Sequence, residues 1–422
     1  MRILIVNTSE KTGGAAVAAN RLTAALNNNG MKAKMLVRDK QTDALTVCRL
    51  PPSWRQQWHF LWERLVIWMH LRLRYSHVFD IDIANTGTDI TQLPEFQEAD
   101  IIHLHWVNQG MLSLKDIRRI LNSGKPVVWT MHDIWPATAI CHLTLDCRRF
   151  EQQCGNCRLL PGGGSAHDLS ARIWQKKHDM LQAKRITYVT CSQWLAAEAS
   201  KSSLLKGQRI VSIPNPIDTH TYHPTDKLAA RQLLGLPAEG DIILFVSQRA
   251  DNPYKGMQYL VEACRLLAGR HKEEFSNTCV AIMGGHAEEV AGLLPFPTHA
   301  LGYINDEKRI ALAYNAANVF VLPSLSENLP NTIMEAMACG VPCVGFSVGG
   351  IPEEIDHRQT GYVAAYRNAD DLACGLHYVL HEADYHRLCA NCIGKVARCY
   401  SQQSVAKQYI RVYEEARGKN DE

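Results

Sequence analysis

Short apolar runs alternate with helical stretches along this chain, and the alternation begins again after residue 240. In the first half, apolar strands are predicted at 2–6, 34–37, 100–106, 126–129, 186–191 and 209–213. In the second half they are predicted at 241–246, 279–283, 300–303, 319–322 and 341–346. Strands that alternate with helices form parallel sheets covered on both faces. The sequence therefore predicts an α/β protein with two Rossmann-like, doubly wound parallel sheets.

The chain of 422 residues is too long for one ordinary domain. The stiff stretch Pro-Asn-Pro-Ile-Asp at 214–218 is the best candidate for a linker. We therefore predict a first domain over 1–213 and a second over 214–402. A final helix over 403–422 is expected to pack back on the first domain. A cleft between two open sheets is the expected place for a ligand.

Charge and cysteine usage narrow the class of protein. Residues 1–215 hold 27 Lys and Arg against 17 Asp and Glu, whereas the remainder holds 18 against 25. A basic first half suits an anionic partner such as a membrane surface, a lipid-linked phosphate or nucleic acid; an ordinary solvated surface is the alternative. We expect no signal peptide at the start of the chain, and its 14 cysteines are therefore expected to be reduced thiols in a cytoplasmic protein.

The segment 324–340, SLSENLPNTIMEAMACG, follows a predicted buried strand and carries Glu327 and Glu335. Pro330 lies near a helix start, Asn331 or Thr332 is expected to cap the helix, and Thr332–Cys339 is expected to be helical. N–H groups at the start of such a helix bind anions, typically phosphate. A carboxylate on either side can accept hydrogen bonds from hydroxyls. A ligand with phosphates and hydroxyls is a sugar nucleotide.

Other predicted strand ends carry complementary groups. Arg249 and Lys255 supply cations for a diphosphate, together with the N–H donors near Asn331, Thr332 and Ile333. Gly13-Gly14 forms a turn that lets the backbone approach a phosphate. His132 and Asp133 end another strand, where ligands of open α/β sheets bind.

Residues 51–75 predict a helix with an apolar stripe and interspersed arginines. The stripe comprises Trp54, Trp58, Leu61, Trp62, Leu65, Met69 and Leu73, and the arginines are 55, 64, 72 and 74. Such a helix can lie in a membrane interface. A helix that packs in the core is the alternative.

Four cysteines, Cys141, Cys147, Cys154 and Cys157, lie within seventeen residues and end in C-x-x-C. Four thiolates are the right number for a tetrahedral structural zinc site. Free thiols or a redox pair are the other interpretations. A zinc ion here would hold a loop in place and need not take part in chemistry.

Taken together, these motifs resemble the retaining nucleotide-sugar glycosyltransferases of family 4, which have the GT-B fold. The resemblance rests on Glu327-x7-Glu335 followed by AMACGVPCVGF, the pair Arg249 and Lys255, and the Gly13-Gly14 turn, and it covers nearly the whole chain. The HLHW, MHDIWP and four-cysteine stretches look like a subgroup that assembles bacterial capsule, exopolysaccharide and O-antigen.

The resemblance implies roles for particular residues. Arg249 and Lys255 bind the donor diphosphate and neutralise the leaving group, Glu335 binds the ribose and Glu327 the donor sugar. Gly14 lies against the phosphates, His132 beside the reacting centre, and 302–304 beside the nucleobase. The donor is a UDP-, GDP- or ADP-sugar, and the acceptor is a lipid-linked saccharide at the inner membrane face. The family retains the anomeric configuration and generally uses no metal.

Other classes of function predict different features. A dinucleotide-dependent oxidoreductase or epimerase would carry G-x-G-x-x-G after the first strand, which is missing, although Asp39 could serve as its acidic residue. A non-catalytic binding partner remains open, but the set of charged residues is complete. The chain contains no recognisable nucleic-acid-binding module.

Overall fold

The first parallel sheet has seven strands, in the order β3-β2-β1-β4-β5-β6-β7. The computed structural model describes residues 1–51 and 54–418, apart from the side chains of 54, 55 and 57. The strands are β1 Arg2–Ser9, β2 Lys32–Asp39, β3 Val47–Arg49, β4 Ile101–Leu104, β5 Val127–Met131, β6 Thr187–Thr190 and β7 Arg209–Ser212. The central strands are almost wholly apolar because helices cover both faces of the sheet.

The second parallel sheet has six strands, in the order β10-β9-β8-β11-β12-β13. The strands are β8 Asp241–Arg249, β9 Thr278–Gly285, β10 Thr298–Gly302, β11 Val319–Leu322, β12 Cys343–Phe346 and β13 Gly361–Ala364. Both sheets therefore have the doubly wound α/β topology that the sequence predicts, and that prediction is confirmed.

Helices connect the strands. In the first half they are α1 Gly14–Asn28, α2 Trp54–His70, α3 Pro94–Glu98, α4 Leu114–Leu121, α5 Leu169–Leu181 and α6 Gln193–Ser200. The rest are α7 Lys227–Leu234, α8 Met257–Arg270, α9 Ala287–Ala291, α10 Glu307–Ala316, α11 Asn331–Ala338, α12 Ile351–Glu354, α13 Ala369–His377, α14 Tyr385–Lys395 and α15 Gln402–Gly418.

The chain forms two units, and the first is made of two separate pieces of sequence. Among the described residues, it comprises 1–214 and 405–418, and the second comprises 215–404. Helix α15 packs its apolar face on the first sheet, where Val405, Tyr409 and Tyr413 join Ile3 and Ile5 in one cluster. The Tyr413 hydroxyl lies 2.7 Å from His103 Nδ1, and the Tyr409 hydroxyl lies 3.0 Å from Thr130 Oγ1. Helix α15 is thus part of the first unit's core.

Two strands and several boundaries differ from the sequence prediction. The strands β3 and β13, of three and four residues, were not predicted because so short a run shows no clear alternation. Strand β5 extends to Met131, so His132 is the first residue after it. The prediction that Asn331 or Thr332 caps the helix is wrong, because Pro330 has an extended backbone at the N-cap and α11 begins at Asn331.

Candidate functional site

The two sheets place the predicted site residues just beyond the carboxyl ends of their strands. The strand order reverses between β1 and β4 in the first unit and between β8 and β11 in the second. Open α/β sheets bind ligands at this switch point. Arg249 ends β8 and Lys255 follows it, whereas Glu327 and α11 follow β11. The second unit thus holds most of the predicted donor-binding residues at one switch point.

Lys255 and Glu327 form a direct ion pair. The Lys255 ammonium donates to Glu327 Oε1 over 2.5 Å, with the two side chains 30% and 12% exposed. The contact depends on Gly256, whose φ is 73° and where a Cβ would lie 1.9 Å from the Pro323 carbonyl oxygen. The loops after β8 and β11 are therefore packed too closely for any side chain at 256.

The loop after β12 also packs against Glu327. At Gly349 φ is 57°, and a Cβ there would lie 1.7 Å from the Glu327 carbonyl oxygen. The Gly350 N–H donates to the Asn328 carbonyl over 2.8 Å. The Tyr366 hydroxyl, which follows β13, donates to the Leu325 carbonyl over 3.0 Å. Loops from three strand ends thus fix the backbone around Glu327.

Arg249 is paired with a carboxylate that the sequence analysis did not consider. Its guanidinium donates to both oxygens of Asp251, over 3.1 and 2.8 Å. Arg249 is 61% exposed, and the hydrogen bonds and charge of Asp251 raise its pKa. A phosphate that binds Arg249 must therefore compete with Asp251. Because an exposed ion pair of this kind contributes little to stability, the replacement of Asp251 by phosphate as the partner of Arg249 requires little free energy.

Glu335 lies on α11, and its side chain is buried within the second unit. Its Oε2 accepts a hydrogen bond from the Tyr314 hydroxyl over 3.0 Å. Burial, followed by the Glu335 charge, raises the pKa of Tyr314 well above its usual value. The predicted N–H donors lie at the start of the same helix, but the Ile333 N–H already donates to the Pro330 carbonyl over 3.1 Å.

Glu354 is a buried carboxyl group that the sequence analysis did not single out. Its side chain is fully buried, and within the described part of the chain neither of its oxygens has a hydrogen-bond partner. Burial, together with the charge of Glu327, raises its pKa well above the usual value, although Lys395 opposes the shift. The fold therefore favours the protonated, neutral form of the Glu354 carboxyl group. The only sequence signal for it was an acid at the start of a short helix.

In the first unit, the predicted glycine turn lies between β1 and α1. Gly13 has a φ of 90° and precedes α1, which begins at Gly14. A Cβ at Gly13 would meet nothing within 4 Å, so the left-handed backbone, not crowding, favours glycine there. The Glu10 carboxylate holds this loop to the loop after β2, because it accepts from the Gln41 and Thr42 N–H groups over 2.5 and 2.9 Å.

His132 lies at the meeting point of three strand ends. Its Nε2 is 2.9 Å from His105 Nδ1, after β4, and its Nδ1 is 3.5 Å from Cys191 Sγ, after β6. Burial lowers the pKa of His132 to about 4, although the charge of Asp133 opposes the shift. The ring is therefore neutral at pH 7, so His132 could act there as a hydrogen-bonding group but not as a cation.

Asp133 belongs to a buried network of charges. His142 lies 2.8 Å from the carboxylates of both Asp133 and Asp82. Burial acts to lower the pKa of His142, but these two carboxylates outweigh it and raise the pKa to about 10. Arg64 of α2 also pairs with Asp82 and lies 3.6 Å from Glu63. Arg64, one of the arginines interspersed with the apolar stripe, is thus a buried residue.

The exposed face of α2 is apolar. Trp58, Leu61, Trp62, Leu65 and Met69 are each between 41% and 59% exposed, and Leu73, in the turn after the helix, is 58% exposed. The side chains of Trp54 and Arg55 lie outside the described residues. The helix instead buries Glu63, Arg64 and Ile67 against the first unit. The core-packing interpretation of this stripe is therefore wrong. Within the described residues, no helix combines the length and apolarity needed to cross a bilayer.

The four cysteines share one neighbourhood. Burial, with a smaller contribution from Cys154, Cys157 and Cys147, raises the pKa of Cys141 to about 12, although a hydrogen bond with Thr138 opposes the shift. In a tetrahedral zinc site with Zn–S bonds of about 2.3 Å, the sulfurs lie roughly 3.8 Å apart. Of the described residues, the groups of three ligand atoms within 4.8 Å of one another do not include these sulfurs. The donor atoms fit zinc, but their spacing is wider than zinc requires.

A buried lysine lies beside the cysteine cluster. The Lys177 ammonium lies 3.3 Å from the centre of the Trp135 ring and donates to the carbonyls of Trp135 and Thr138. Burial lowers its pKa to about 7, and Cys141 and Cys154 oppose the shift. An anionic metal–thiolate group would stabilise this buried cation.

Solved structures with the same arrangement of sheets define the fold. Sucrose-phosphate synthase from Thermosynechococcus elongatus superposes with a TM-score of 0.69 at 18% identity, over 98% of both chains. The Anabaena protein HepE, in complex with UDP-glucose, superposes with a TM-score of 0.63 at 17% identity, over 98% of this chain and 100% of that one. The fold is therefore GT-B.

Sequence comparisons specify the family. A model described as Glycosyltransferase Family 4 matches residues 12–221, and one described as Glycosyl transferases group 1 matches 240–382. An uncharacterised glycosyltransferase of Methanocaldococcus jannaschii is 26% identical over 79% of this chain and 89% of its own length. A D-inositol 3-phosphate glycosyltransferase of Catenulispora acidiphila is 34% identical, over 39% of this chain and 40% of its own length. The chain belongs to the GT-B glycosyltransferases.

Proposed function

We propose that this protein is a retaining hexosyltransferase of family 4. It transfers a hexose-type sugar from a nucleotide diphosphate sugar to a lipid-linked saccharide during assembly of a bacterial surface polysaccharide. The observation that carries the proposal is the Lys255–Glu327 pair at the switch point of the second sheet, with Arg249 at the same strand end. These residues combine phosphate-binding cations with a carboxylate acceptor for sugar hydroxyls. The UDP-glucose complex of HepE supports the class of donor.

The proposed roles follow from the contacts. Lys255 and Arg249 bind the diphosphate, after Arg249 exchanges Asp251 for phosphate. Glu327 accepts hydrogen bonds from the donor sugar, and Lys255 keeps its carboxylate close to the leaving group. Glu335, held by Tyr314, accepts from the ribose. The N–H groups at the start of α11 approach the phosphates, and in the first unit the Gly13-Gly14 turn leaves its backbone open to a phosphate.

The proposed reaction proceeds on one face of the sugar. The bond from the anomeric carbon to the diphosphate oxygen breaks, and the acceptor oxygen bonds to the same face. The acceptor proton passes to the leaving diphosphate. The positive charges of Lys255 and Arg249 stabilise the developing negative charge, so we propose that no metal cofactor is required. In the first unit, His132 contributes as a neutral hydrogen-bonding group.

A thermal-shift screen across UDP-, GDP- and ADP-sugars tests donor binding, because a bound donor raises the melting temperature. One nucleotide class should stabilise the wild type, and Lys255→Ala should lose most of that shift. In a nucleotide-release assay, Lys255→Ala should lower turnover about 10²- to 10³-fold, because the leaving-group charge is then unmatched. Lys308→Ala, at an exposed lysine of α10, is the control. Full turnover in Lys255→Ala would refute the assignment, and a bound nicotinamide cofactor would favour the oxidoreductase class.

We propose further that the exposed face of α2 lies in an anionic membrane surface at the cytoplasmic side. Trp58, Trp62 and Met69 would enter the interface, and the exposed Arg72 and Arg74 would meet lipid phosphates. The excess of positive charge in residues 1–215 favours the same partner. This position would bring the enzyme to a lipid-linked acceptor.

Vesicle sedimentation tests the membrane proposal. The wild type should bind vesicles that contain phosphatidylglycerol and should release at high salt. The double variant Trp58→Ser and Trp62→Ser should bind markedly less. Leu233→Ser is the control, because Leu233 is 69% exposed on α7 of the other unit. Equal binding by the double variant and the control would refute the proposal.

We also propose that Cys141, Cys147, Cys154 and Cys157 hold a structural zinc ion once their loops bring the four sulfurs closer together. The support is the number of thiols, their shared neighbourhood and the buried Lys177 cation. Elemental analysis should find zinc that is lost in Cys154→Ser with Cys157→Ser. Cys374→Ser, at an exposed cysteine outside the cluster, should keep it. Zinc retained by the double variant would refute the proposal.

A further inference from the structure

Two histidines and a glutamate converge in the second unit, outside the proposed donor site. His271 follows the end of α8, Glu274 lies in the next turn, and His377 ends α13. His271 Nδ1 and His377 Nε2 lie 2.8 and 3.0 Å from the same atom, Glu274 Oε2. The two imidazole rings are stacked with their centres 4.0 Å apart. Three ligand atoms from three chain positions thus meet at one point.

The spacing of these atoms is close to that of a metal site. All three ligand atoms lie within 4.8 Å of one another. Zn–N and Zn–O bonds of about 2.0–2.1 Å in a tetrahedral site place neighbouring ligand atoms roughly 3.3 Å apart. The observed separations of 2.8 and 3.0 Å need to open by only a few tenths of an ångström. The three groups are thus already arranged for a metal, whereas the four cysteines are not.

A second carboxylate orients one of the two imidazoles. His377 Nδ1 lies 2.9 Å from Glu382 Oε1, on the side of the ring opposite Glu274. Histidines that bind metals usually donate their other ring N–H to a carboxylate, which fixes the tautomer and strengthens the ligand. Glu382 therefore leaves Nε2 as the atom that faces a metal.

The site also has room for a further ligand. His271, His377 and Glu382 line a cavity of about 370 Å³ between α8 and α13. Arg270 lines the same cavity, and its charge is paired with Asp370. A metal bound by three side chains could complete its coordination with water from this cavity.

Another group with the same residue types serves as an internal comparison. Asp251, His286 and Glu289 also lie within 4.8 Å of one another, and His286 and Glu289 have the same spacing in sequence as His271 and Glu274. All three side chains are exposed, and Asp251 is committed to Arg249. This group has one imidazole instead of two.

We propose that His271, Glu274 and His377 bind a first-row transition-metal dication such as Zn²⁺, with Glu382 as the positioning carboxylate. The site lies at the far end of α8 from Lys255, and a helix of 14 residues spans roughly 21 Å. The metal is therefore too distant to contact the donor. It fastens the end of α8 to the end of α13 and stabilises the second unit. The inference does not depend on the proposed function.

The test is zinc binding by the full-length protein, with Glu274→Gln compared with Glu289→Gln. Calorimetry with Zn²⁺ should show one more equivalent bound by the wild type and by Glu289→Gln than by Glu274→Gln. Zinc should raise the melting temperature of the first two proteins by more than that of the third. Glu382→Gln should keep the site and weaken its affinity about 10- to 100-fold.

The outcomes separate this site from the cysteine cluster. Zinc held by the four cysteines is unchanged in Glu274→Gln, so the difference in stoichiometry reports the histidine site alone. Equal stoichiometry and equal thermal shifts in the wild type and Glu274→Gln would overturn the proposal. If Glu289→Gln, and not Glu274→Gln, binds one zinc equivalent fewer than the wild type, the metal belongs to Asp251, His286 and Glu289. That result would also overturn the proposal.

Discussion

Replacement of Glu354 by glutamine should make the second unit less sensitive to high pH. The wild-type carboxyl is fully buried, and its oxygens have no partner within the described residues. Its pKa is raised by folding, so the wild type loses stability as the pH rises above the unfolded value of about 4.3 toward the folded value. Between these two values, one proton contributes about 1.4 kcal/mol per pH unit. Glu354→Gln carries no proton to lose. Its free energy of unfolding should therefore rise relative to that of the wild type by up to about 1.4 kcal/mol for each pH unit.

Urea unfolding between pH 4.5 and pH 8 measures the effect. The two proteins should be similar near pH 4.5, where both side chains are neutral, and should diverge as the pH rises. In thermal melts, 1 kcal/mol corresponds to about 2–4 °C for a unit of this size. Glu353→Gln is the matched control, because it makes the same substitution at the neighbouring, half-buried position. A difference between Glu354→Gln and the wild type that stays constant with pH would refute the reasoning.

Three further predictions follow from hydrogen bonds and charges. Tyr314→Phe removes a hydrogen-bond donor to buried Glu335, so we expect its free energy of unfolding to fall by about 1–3 kcal/mol. Calorimetry should also show weaker binding of the nucleotide sugar. Unchanged affinity would contradict the assignment of Glu335 to the ribose. Tyr413→Phe removes the hydroxyl that hydrogen-bonds to His103 Nδ1, and denaturant unfolding should show a similar fall in the free energy of unfolding. An unchanged unfolding midpoint would contradict this prediction. His142→Gln breaks a buried charge network and should cost about 3–5 kcal/mol at pH 7. Folding raises the pKa of His142 to about 10, so the wild type loses this stability as the pH rises from about 6.5 toward 10. The difference in free energy of unfolding between wild type and variant, measured with urea, should therefore shrink over that range. A constant difference would contradict the assignment.

The strand ends could be read from sequence because their physical causes are local. An apolar run such as 319–322 must be a buried strand, and the polar residues after it must leave the core. That reasoning placed Lys255 after one strand and Glu327 after another. The structure shows that these two strands, β8 and β11, are neighbours, which the order of apolar runs along the sequence could not show. Their adjacency depends on the strand order, and therefore on the whole chain.

Other features depended on contacts between distant residues. The orientation of α2 could not be deduced, because a stripe at helical spacing looks the same whether it faces the core or the solvent. Glu63 and Arg64 face inward because Asp82 and the backbone of 83 and 84 meet them there. Glu354 is buried by neighbours from elsewhere in the second unit, so its own sequence context resembles an ordinary acidic helix start.

The division of the first unit into 1–214 and 405–418 has a consequence for the order of folding. During synthesis, the first sheet leaves the ribosome well before α15. Until α15 arrives, His103 and Thr130 lack the Tyr413 and Tyr409 hydroxyls, and the cluster around Ile3 and Ile5 is covered by α1 but lacks the side chains of α15. The second unit has all of its residues before α15 is complete. The unit that begins first is thus the one that finishes last, and its newly made sheet is the part of the protein most in need of protection from aggregation.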